Sequence, residues 1–185
     1  MDSNHFSGPE SHHTLCEHYH TQPLIYTSTN VKVCDIEDDV KDELKKFRFR
    51  RNKSNAALIL KVDREKQKIC IDELLEVSSL SWEKLTSCTS RIIFQDIKID
   101  ELQESLPGHQ PRYIVYSYKM EHADGRLSYP MCFIYYTPRD SQIELQIMYA
   151  GTKLALQKEA DLTRVYEVRE LDELTEEWLK EKLNK

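Results

Sequence analysis

Residues 113–121 (YIVYSYKME) and 127–136 (LSYPMCFIYY) are aromatic and β-branched runs flanking Ala123-Asp124-Gly125-Arg126. An Asp-Gly pair suits a tight turn that needs positive φ, so this stretch predicts a β-hairpin. Both runs carry apolar side chains on both faces. A sheet built on them has to be covered by helices on each side. Pro130 cannot donate to a strand ladder, so it predicts an edge position or a bulge.

The rest of the chain supplies candidate helices and strands. Asp35 is expected as a helix N-cap, with Glu37, Asp38 and Asp39 at the positive end of the helix dipole. Ile36, Val40, Leu44 and Phe47 then recur on one helical face. Residues 56–62 read as a strand, 63–66 as a turn and 68–74 as a second strand. A short helix is expected over 100–106, stopped by Pro107-Gly108. Residues 164–168 read as a short strand. Residues 174–183 read as a final amphipathic helix, acidic early and with Lys180 and Lys182 late.

The longest expected helix, 143–158, has two apolar stripes. Leu145, Tyr149, Thr152 and Leu156 form one; Ile143, Ile147, Ala150 and Leu154 form the other. A helix on one face of a sheet needs only one stripe for packing. The second is either more core or a groove-filling surface for a partner.

Two segments stand apart. Residues 1–30 hold five of the seven histidines, no Lys or Arg, and no helical or strand period. They are expected to be a disordered N-terminal extension, with too little apolar surface to offset ordering entropy. Residues 77–94 carry Ser or Thr at seven of eighteen positions. They read as an insert or long loop, with a helical turn around 82–85.

Composition narrows the function. The 185 residues suit one domain, and only four are glycine. No two glycines lie within the roughly six residues that a dinucleotide fingerprint or phosphate loop requires. The net charge of −6 argues against a general preference for nucleic acid or anionic membrane. No stretch approaches the roughly 18 apolar residues of a membrane helix, and the first 30 residues lack the basic and apolar regions of a secretory signal. Cys16, Cys34, Cys70, Cys88 and Cys132 are odd in number with no C-x-x-C pair, which reads as reduced cytosolic thiols.

No catalytic motif is present. His109 and His122 read as loop residues, Cys132 as a small hydrophobe on a buried strand, and Glu176-Glu177 as a solvated helix face. His12, His13, Cys16, His18 and His20 have the ligand types of a zinc site, but no second half-site follows and a tail supplies nothing to orient ligands. A metal-dependent enzyme built on this tail is the alternative to a binding protein. The basic run Lys45, Lys46, Arg48, Arg50, Arg51 and Lys53, interleaved with Phe47 and Phe49, reads as a phosphate-contacting patch, a protein contact or a solvated face.

VCDIEDDVKDELKKFRFRRNKSNAALILKVD, QPRYIVYSYKMEHADGRLSYPMCFIYYTP, QIMYAGTK and DLTRVYEVRELDELTEEWLKEKL occur in that order. This set resembles the glia maturation factors of the actin-depolymerising factor homology superfamily, which includes cofilin and twinfilin. The resemblance covers nearly all of 31–76 and 95–185. It implies an α/β fold of α+β type: a single actin-depolymerising-factor homology domain over 31–185, with a central mixed, largely antiparallel sheet flanked by helices. The 1–30 extension and the 77–94 insert depart from the family pattern.

The resemblance further implies a protein without catalytic residues, cofactor or metal. Cofilin-like domains place their long helix in a hydrophobic groove of actin. The matching residues here are Ile143, Glu144, Gln146, Ile147, Ala150, Gly151, Lys153 and Leu154. Cofilins carry lysines where this chain has Glu144 and Gln146, which implies weakened binding to conventional actin. Glia maturation factors instead bind the actin-related-protein (Arp) branching complex, inhibit branch nucleation and promote debranching. A second implied partner surface comprises Lys119, Glu121, Asp124, Arg126, Glu173, Glu177 and Lys180. Expected partners are the Arp branching complex and, secondarily, actin filaments, with no nucleic acid and no membrane. Conventional cofilin-like binding, severing or monomer sequestration is the alternative activity. The resemblance places a monomer in the cytoplasm on the cortical branched-actin cytoskeleton, with the nucleus open as a second location.

Overall fold

The computed structural model describes residues 33–51, 53–72 and 93–184. The elements are β1 (Asp35–Ile36), α1 (Asp38–Arg48), β2 (Ala56–Asp63), β3 (Lys68–Ile71), β4 (Ile93–Gln95), α2 (Ile99–Ser105) and β5 (Arg112–Ser117). They continue with β6 (Met120–Glu121), β7 (Leu127–Ser128), β8 (Met131–Tyr136), α3 (Ile143–Ala160), β9 (Val165–Val168), a 3-10 turn (Leu171–Glu173) and α4 (Glu176–Leu183). The main sheet has seven strands in the order β1-β3-β2-β5-β8-β9, with β4 also on β2. Among the described residues, only β1–β3 and β8–β9 pair in parallel. The expected mixed, largely antiparallel sheet is what forms.

Strand alternation builds a core on each face. All six residues of β5 are buried. Tyr113 and Val115 point to one side, where Leu58, Leu60, Phe133, Tyr135, α1 (Val40, Leu44, Phe47) and α3 (Met148, Tyr149, Leu156) meet. Ile114 and Tyr116 point to the other, joining Ala57, Ile59, Ile134, Leu102 of α2 and Leu179 of α4. Neither face of the central strands meets water, as the doubly apolar runs require.

Several boundaries move. Asp35 is not a helix cap and Ile36 is not helical; both form β1. Asp35 N–H donates to Gln67 O at 2.9 Å, and the two residues pair with Lys68 and Ile69. These sheet hydrogen bonds satisfy backbone groups that an extra helical turn would leave without the β3 partner. Helix α1 begins at Asp38, after Glu37. Helix α2 starts one residue earlier than expected. Helix α4 starts at Glu176, where Thr175 Oγ1 accepts the Trp178 N–H at 3.2 Å as an N-cap.

The long hairpin forms as two pieces. Strands β5 and β8 pair from Arg112↔Tyr136 to Ser117↔Met131, and Tyr118 N–H reaches Pro130 O at 3.0 Å. Beyond that break, β6 and β7 make their own two-stranded sheet. Pro130 is thus neither on an edge strand nor inside a strand: β8 lies between β5 and β9, and Pro130 sits at the junction of β7 with β8. At the turn, Gly125 takes φ 79° and its N–H donates to His122 O at 2.9 Å, as the Asp-Gly pair predicts.

Residues 1–30, 73–74 and 77–92 of the expected extension, strand end and insert lie outside the described residues. Ile93 and Phe94, the last two of the expected insert, pair with β2. Their register is informative. Leu60 faces Ile71, Asp72 N–H donates to Ile59 O at 3.0 Å, and Leu58 faces Ile93. Asp72 and Ile93 therefore occupy consecutive slots along β2, and the chain between them adds no register shift. Joining Asp72 directly to Ile93, with 73–92 deleted, should keep a cooperative melt with Tm changed by less than about 4 °C, equivalent to about 1 kcal/mol. Loss of cooperative unfolding in that variant would contradict the register.

Polar contacts fix α3 against the sheet. Val62 N–H donates to the Tyr149 hydroxyl at 2.9 Å, and the Tyr113 hydroxyl donates to Tyr149 O at 2.5 Å. Thr152 Oγ1 accepts Cys34 N–H at 3.0 Å and donates to Met148 O at 2.9 Å. Burial pushes the Tyr149 hydroxyl up to about 12 and raises Tyr113 as well. Both hydroxyls stay neutral across the physiological range.

Candidate partner-binding surfaces

Those anchors decide which stripe of α3 is core. Tyr149, Thr152 and Leu156 are buried against the sheet and Leu145 is half-buried. The second stripe faces solvent: Ile143 is 75% exposed, Ile147 62% and Leu154 41%, and Ala150 is exposed between them. Three of the six exposed large hydrophobics of the described residues thus share one helix face. The core alternative for this stripe is excluded.

The polar neighbours are held rather than free. Glu144 lies 3.6 Å from the Arg64 guanidinium, which also donates to Gln142 Oε1 at 3.1 Å. Gln146 turns back and donates to Ser141 O at 2.9 Å. Lys153 stands 5.2 Å over the Tyr135 ring and 3.6 Å from Glu167. Gly151 is half-buried. Arg64, in the β2–β3 turn, was missed by the sequence reading. It lies 78 residues from Gln142, so no local pattern announces the contact.

The second set of residues is exposed throughout: Lys119, Glu121, Asp124, Arg126, Glu173, Glu177 and Lys180. Three of them, Lys119, Glu121 and Lys180, converge around a depression of about 440 Å³ between β6 and α4, together with Tyr118 and Glu176. Asp124 and Arg126 pair at 2.6 Å at the hairpin tip. They lie outside that depression, as do Glu173 and Glu177.

Glu176, missed earlier as a plain surface acid, links the two elements. It accepts the Tyr118 hydroxyl at 2.6 Å and lies 2.9 Å from Lys180. These contacts, the Tyr118 hydrogen bond first, hold its carboxyl below the usual range. A carboxylate with a lowered folded pKa stabilises the fold above its unfolded pKa, and that contribution fades as pH falls through the folded value. Tyr118→Phe should therefore raise the Glu176 pKa, read by NMR titration of the side-chain carboxyl. An unchanged value would mean that the hydroxyl contributes nothing.

The basic run is largely used within the chain. Lys46 pairs with Glu43 at 2.5 Å, Arg48 pairs with Asp161, and Arg50 packs 4.8 Å over Phe47 while donating to Ser54 O. Arg51, Lys53 and Phe49 are exposed. His122 touches the Ser128 hydroxyl at 2.8 Å. Cys132 is fully buried, and burial pushes its thiol up to about 12, too high for a thiolate nucleophile at neutral pH. Among the described residues, no group of three or more His, Cys, Asp or Glu is placed to hold a metal ion, and no helix is long and apolar enough to cross a membrane. The histidine cluster at 12–20 lies outside the described residues.

The two-sided sheet presents one helix with its apolar face left in solvent, the form of surface that enters a partner's groove. The family model described as "Cofilin/tropomyosin-type actin-binding protein" matches residues 33–184. Glia maturation factor of Drosophila melanogaster is 63% identical over 152 residues, covering 82% of this chain and 96% of that protein. Glia maturation factor beta of Homo sapiens is 46% identical over 156 residues, covering 84% and 96%. The solution structure of glia maturation factor from Caenorhabditis elegans superposes with a TM-score of 0.63 at 36% identity, covering 83% of this chain and 98% of that one. The chain belongs to the actin-depolymerising-factor homology family, in its glia maturation factor branch.

Proposed function

We propose that this chain regulates branched actin without catalysis, by docking the exposed face of α3 into an apolar groove on an actin-related subunit of the Arp branching complex. Bound there, it competes with or distorts the contact to the daughter filament, which inhibits new branches and releases existing ones. The carrying observation is the stripe Ile143, Ile147, Ala150 and Leu154, left in water on a helix whose opposite face is locked to the sheet. An apolar stripe at helical spacing is the form that groove recognition takes.

The charge on α3 supports the branching complex over conventional actin. Glu144 and Gln146 stand where cofilins carry lysines, and the nearest cation, Arg64, is engaged by Glu144 and Gln142. The residues around the β6–α4 depression form a second contact, to the neighbouring filament subunit. The protein acts as a monomer in the cytoplasm, at cortical branched actin, with the nucleus as a second location.

Parallel affinity measurements with purified branching complex and with actin monomers test this reading. Tighter binding to the branching complex is expected. Tight binding to monomers, with little affinity for the branching complex, would favour cofilin-like sequestration or severing instead.

A further inference from the structure

The basic run at the end of α1 divides into two halves. The first half is neutralised within the domain: Lys45 lies 3.9 Å from Asp42, Lys46 lies 2.5 Å from Glu43, and Arg48 pairs with Asp161. The second half is not. Among the described residues, Arg50, Arg51 and Lys53 form no ion pair, although the whole chain carries a net charge of −6. Phe49, the C-cap of α1, is 77% exposed, more than any other large hydrophobic of the described residues.

Arg50 is held in one orientation. Its guanidinium sits 4.8 Å over the Phe47 ring, and Nη2 donates to Ser54 O at 2.8 Å. Its Nη1 is shielded from solvent and donates to no acceptor among the described residues. Buried donors are nearly always paired, so this one needs an explanation. A guanidinium with a fixed plane and an open donor suits a carboxylate, and the exposed Arg51 and Lys53 beside it favour the same charge. An exposed aromatic ring at the edge of such a group is a typical interface anchor.

The patch also runs into the second contact proposed above. Asn55 Oδ1 accepts the Lys119 N–H at 2.7 Å, and Lys53 is two positions from Asn55, up to about 7 Å along an extended chain. Lys119 and Lys180 both line the β6–α4 depression. The free cations of the α1–β2 loop and those of the depression therefore lie along one band of surface.

We infer that Phe49, Arg50, Arg51 and Lys53 form a docking surface for an acidic segment of the filament subunit, extending the second contact across Asn55 to Lys119. A carboxylate of that segment meets Arg50 and Arg51, and an apolar side chain covers Phe49. An acidic protein segment fits better than an anionic bilayer, because the excess of negative charge elsewhere on the chain opposes approach to a charged membrane. The inference rests on the reading of the second contact, and it is independent of the role given to α3.

Photo-crosslinking of the full chain tests the surface directly. With p-benzoylphenylalanine in place of Phe49, and branched filaments assembled from purified actin and branching complex, the expected product is a crosslink to an acidic segment of an actin subunit. Crosslinks confined to the branching complex, or no crosslink to protein, overturn the inference. Arg51→Glu/Lys53→Glu changes two exposed side chains, so Tm should stay within a few degrees of the parent. Its affinity for branched filaments should fall about tenfold at low salt, with the gap narrowing as salt rises. Unchanged affinity at low salt overturns the inference. So does parent-chain binding to phosphatidylserine vesicles that the double variant abolishes while filament affinity stays intact. If Ile147→Asp leaves affinity for the isolated branching complex intact, the assignment of α3 fails, while a crosslink from position 49 to actin still supports this surface.

Discussion

Replacing Ile147 with Asp is expected to weaken binding to the branching complex at least about 30-fold while leaving Tm within a few degrees of the parent chain. Ile147 is 62% exposed, so the change removes little packing, and the two residues have similar helix propensity. In the proposed complex the same position becomes the centre of an apolar contact. A carboxylate buried there without a partner is costly, and central interface residues commonly contribute 2 kcal/mol or more, about 30-fold in affinity. Leu156→Asp is the internal control. Leu156 is fully buried on the opposite face, so an uncompensated charge there should unfold the domain. Isothermal titration calorimetry alongside thermal melts separates the two effects. A loss of stability in Ile147→Asp as large as that in Leu156→Asp would contradict the separation of the two faces.

A large stability effect is also expected at Asp72. Its carboxylate accepts Arg112 Nε at 2.5 Å and lies 3.2 Å from Lys61 Nζ. Its own side chain is 1% exposed and that of Arg112 10%. Arg112 also donates to Pro111 O at 2.8 Å and to Gln110 Oε1 at 3.2 Å. The group joins the end of β3 to the start of β5 beneath the sheet's second face. Removing one partner of a buried pair leaves the other charge uncompensated, at about 3–5 kcal/mol. Asp72→Ala should therefore lower Tm by about 6–20 °C, at 2–4 °C per kcal/mol for a chain of this size. Changing both partners together, Asp72→Leu with Arg112→Met, should recover much of the loss, because an apolar pair of similar volume carries no stranded charge. Equal losses in the single and double variants would show that the pair is not the origin of the stability.

How far the sequence reaches is clear from particular elements. The double-faced aromatic runs predicted a sheet covered on both sides, because a strand with no polar face has only that solution. Helix α3 was legible in position, from 143 to 158 against an observed end at Ala160. Its exposed face was not. The two stripes are equally apolar, and only tertiary anchors such as the Tyr149 hydroxyl on Val62 choose between them. Strand β1 has two residues and no periodic signal; it exists because β3 offers a partner. Pro130 predicted an edge position or a bulge; it marks the break in pairing between β7 and β8, and the sheet order that makes β8 an inner strand is a long-range property. Arg64 and the Asp72–Arg112 pair act across 78 and 40 residues respectively. No local pattern encodes such contacts.

The account of function gives these features one purpose. The sheet and its buried hydrogen bonds hold α3 rigidly, and the helix keeps in water the apolar stripe that a partner groove can cover. Beside that stripe stand acidic Glu144, paired with Arg64, and Gln146, folded back onto Ser141. Tyr118, Glu176 and Lys180 link the hairpin to α4 beside the β6–α4 depression, which is the second contact of the proposed function.

The central claim is best tested by imaging single branched filaments and measuring branch lifetime with saturating purified chain. The account predicts shortened lifetimes with the parent chain and near-control lifetimes with Ile147→Asp at the same concentration. Unchanged lifetimes at saturating parent protein would contradict it.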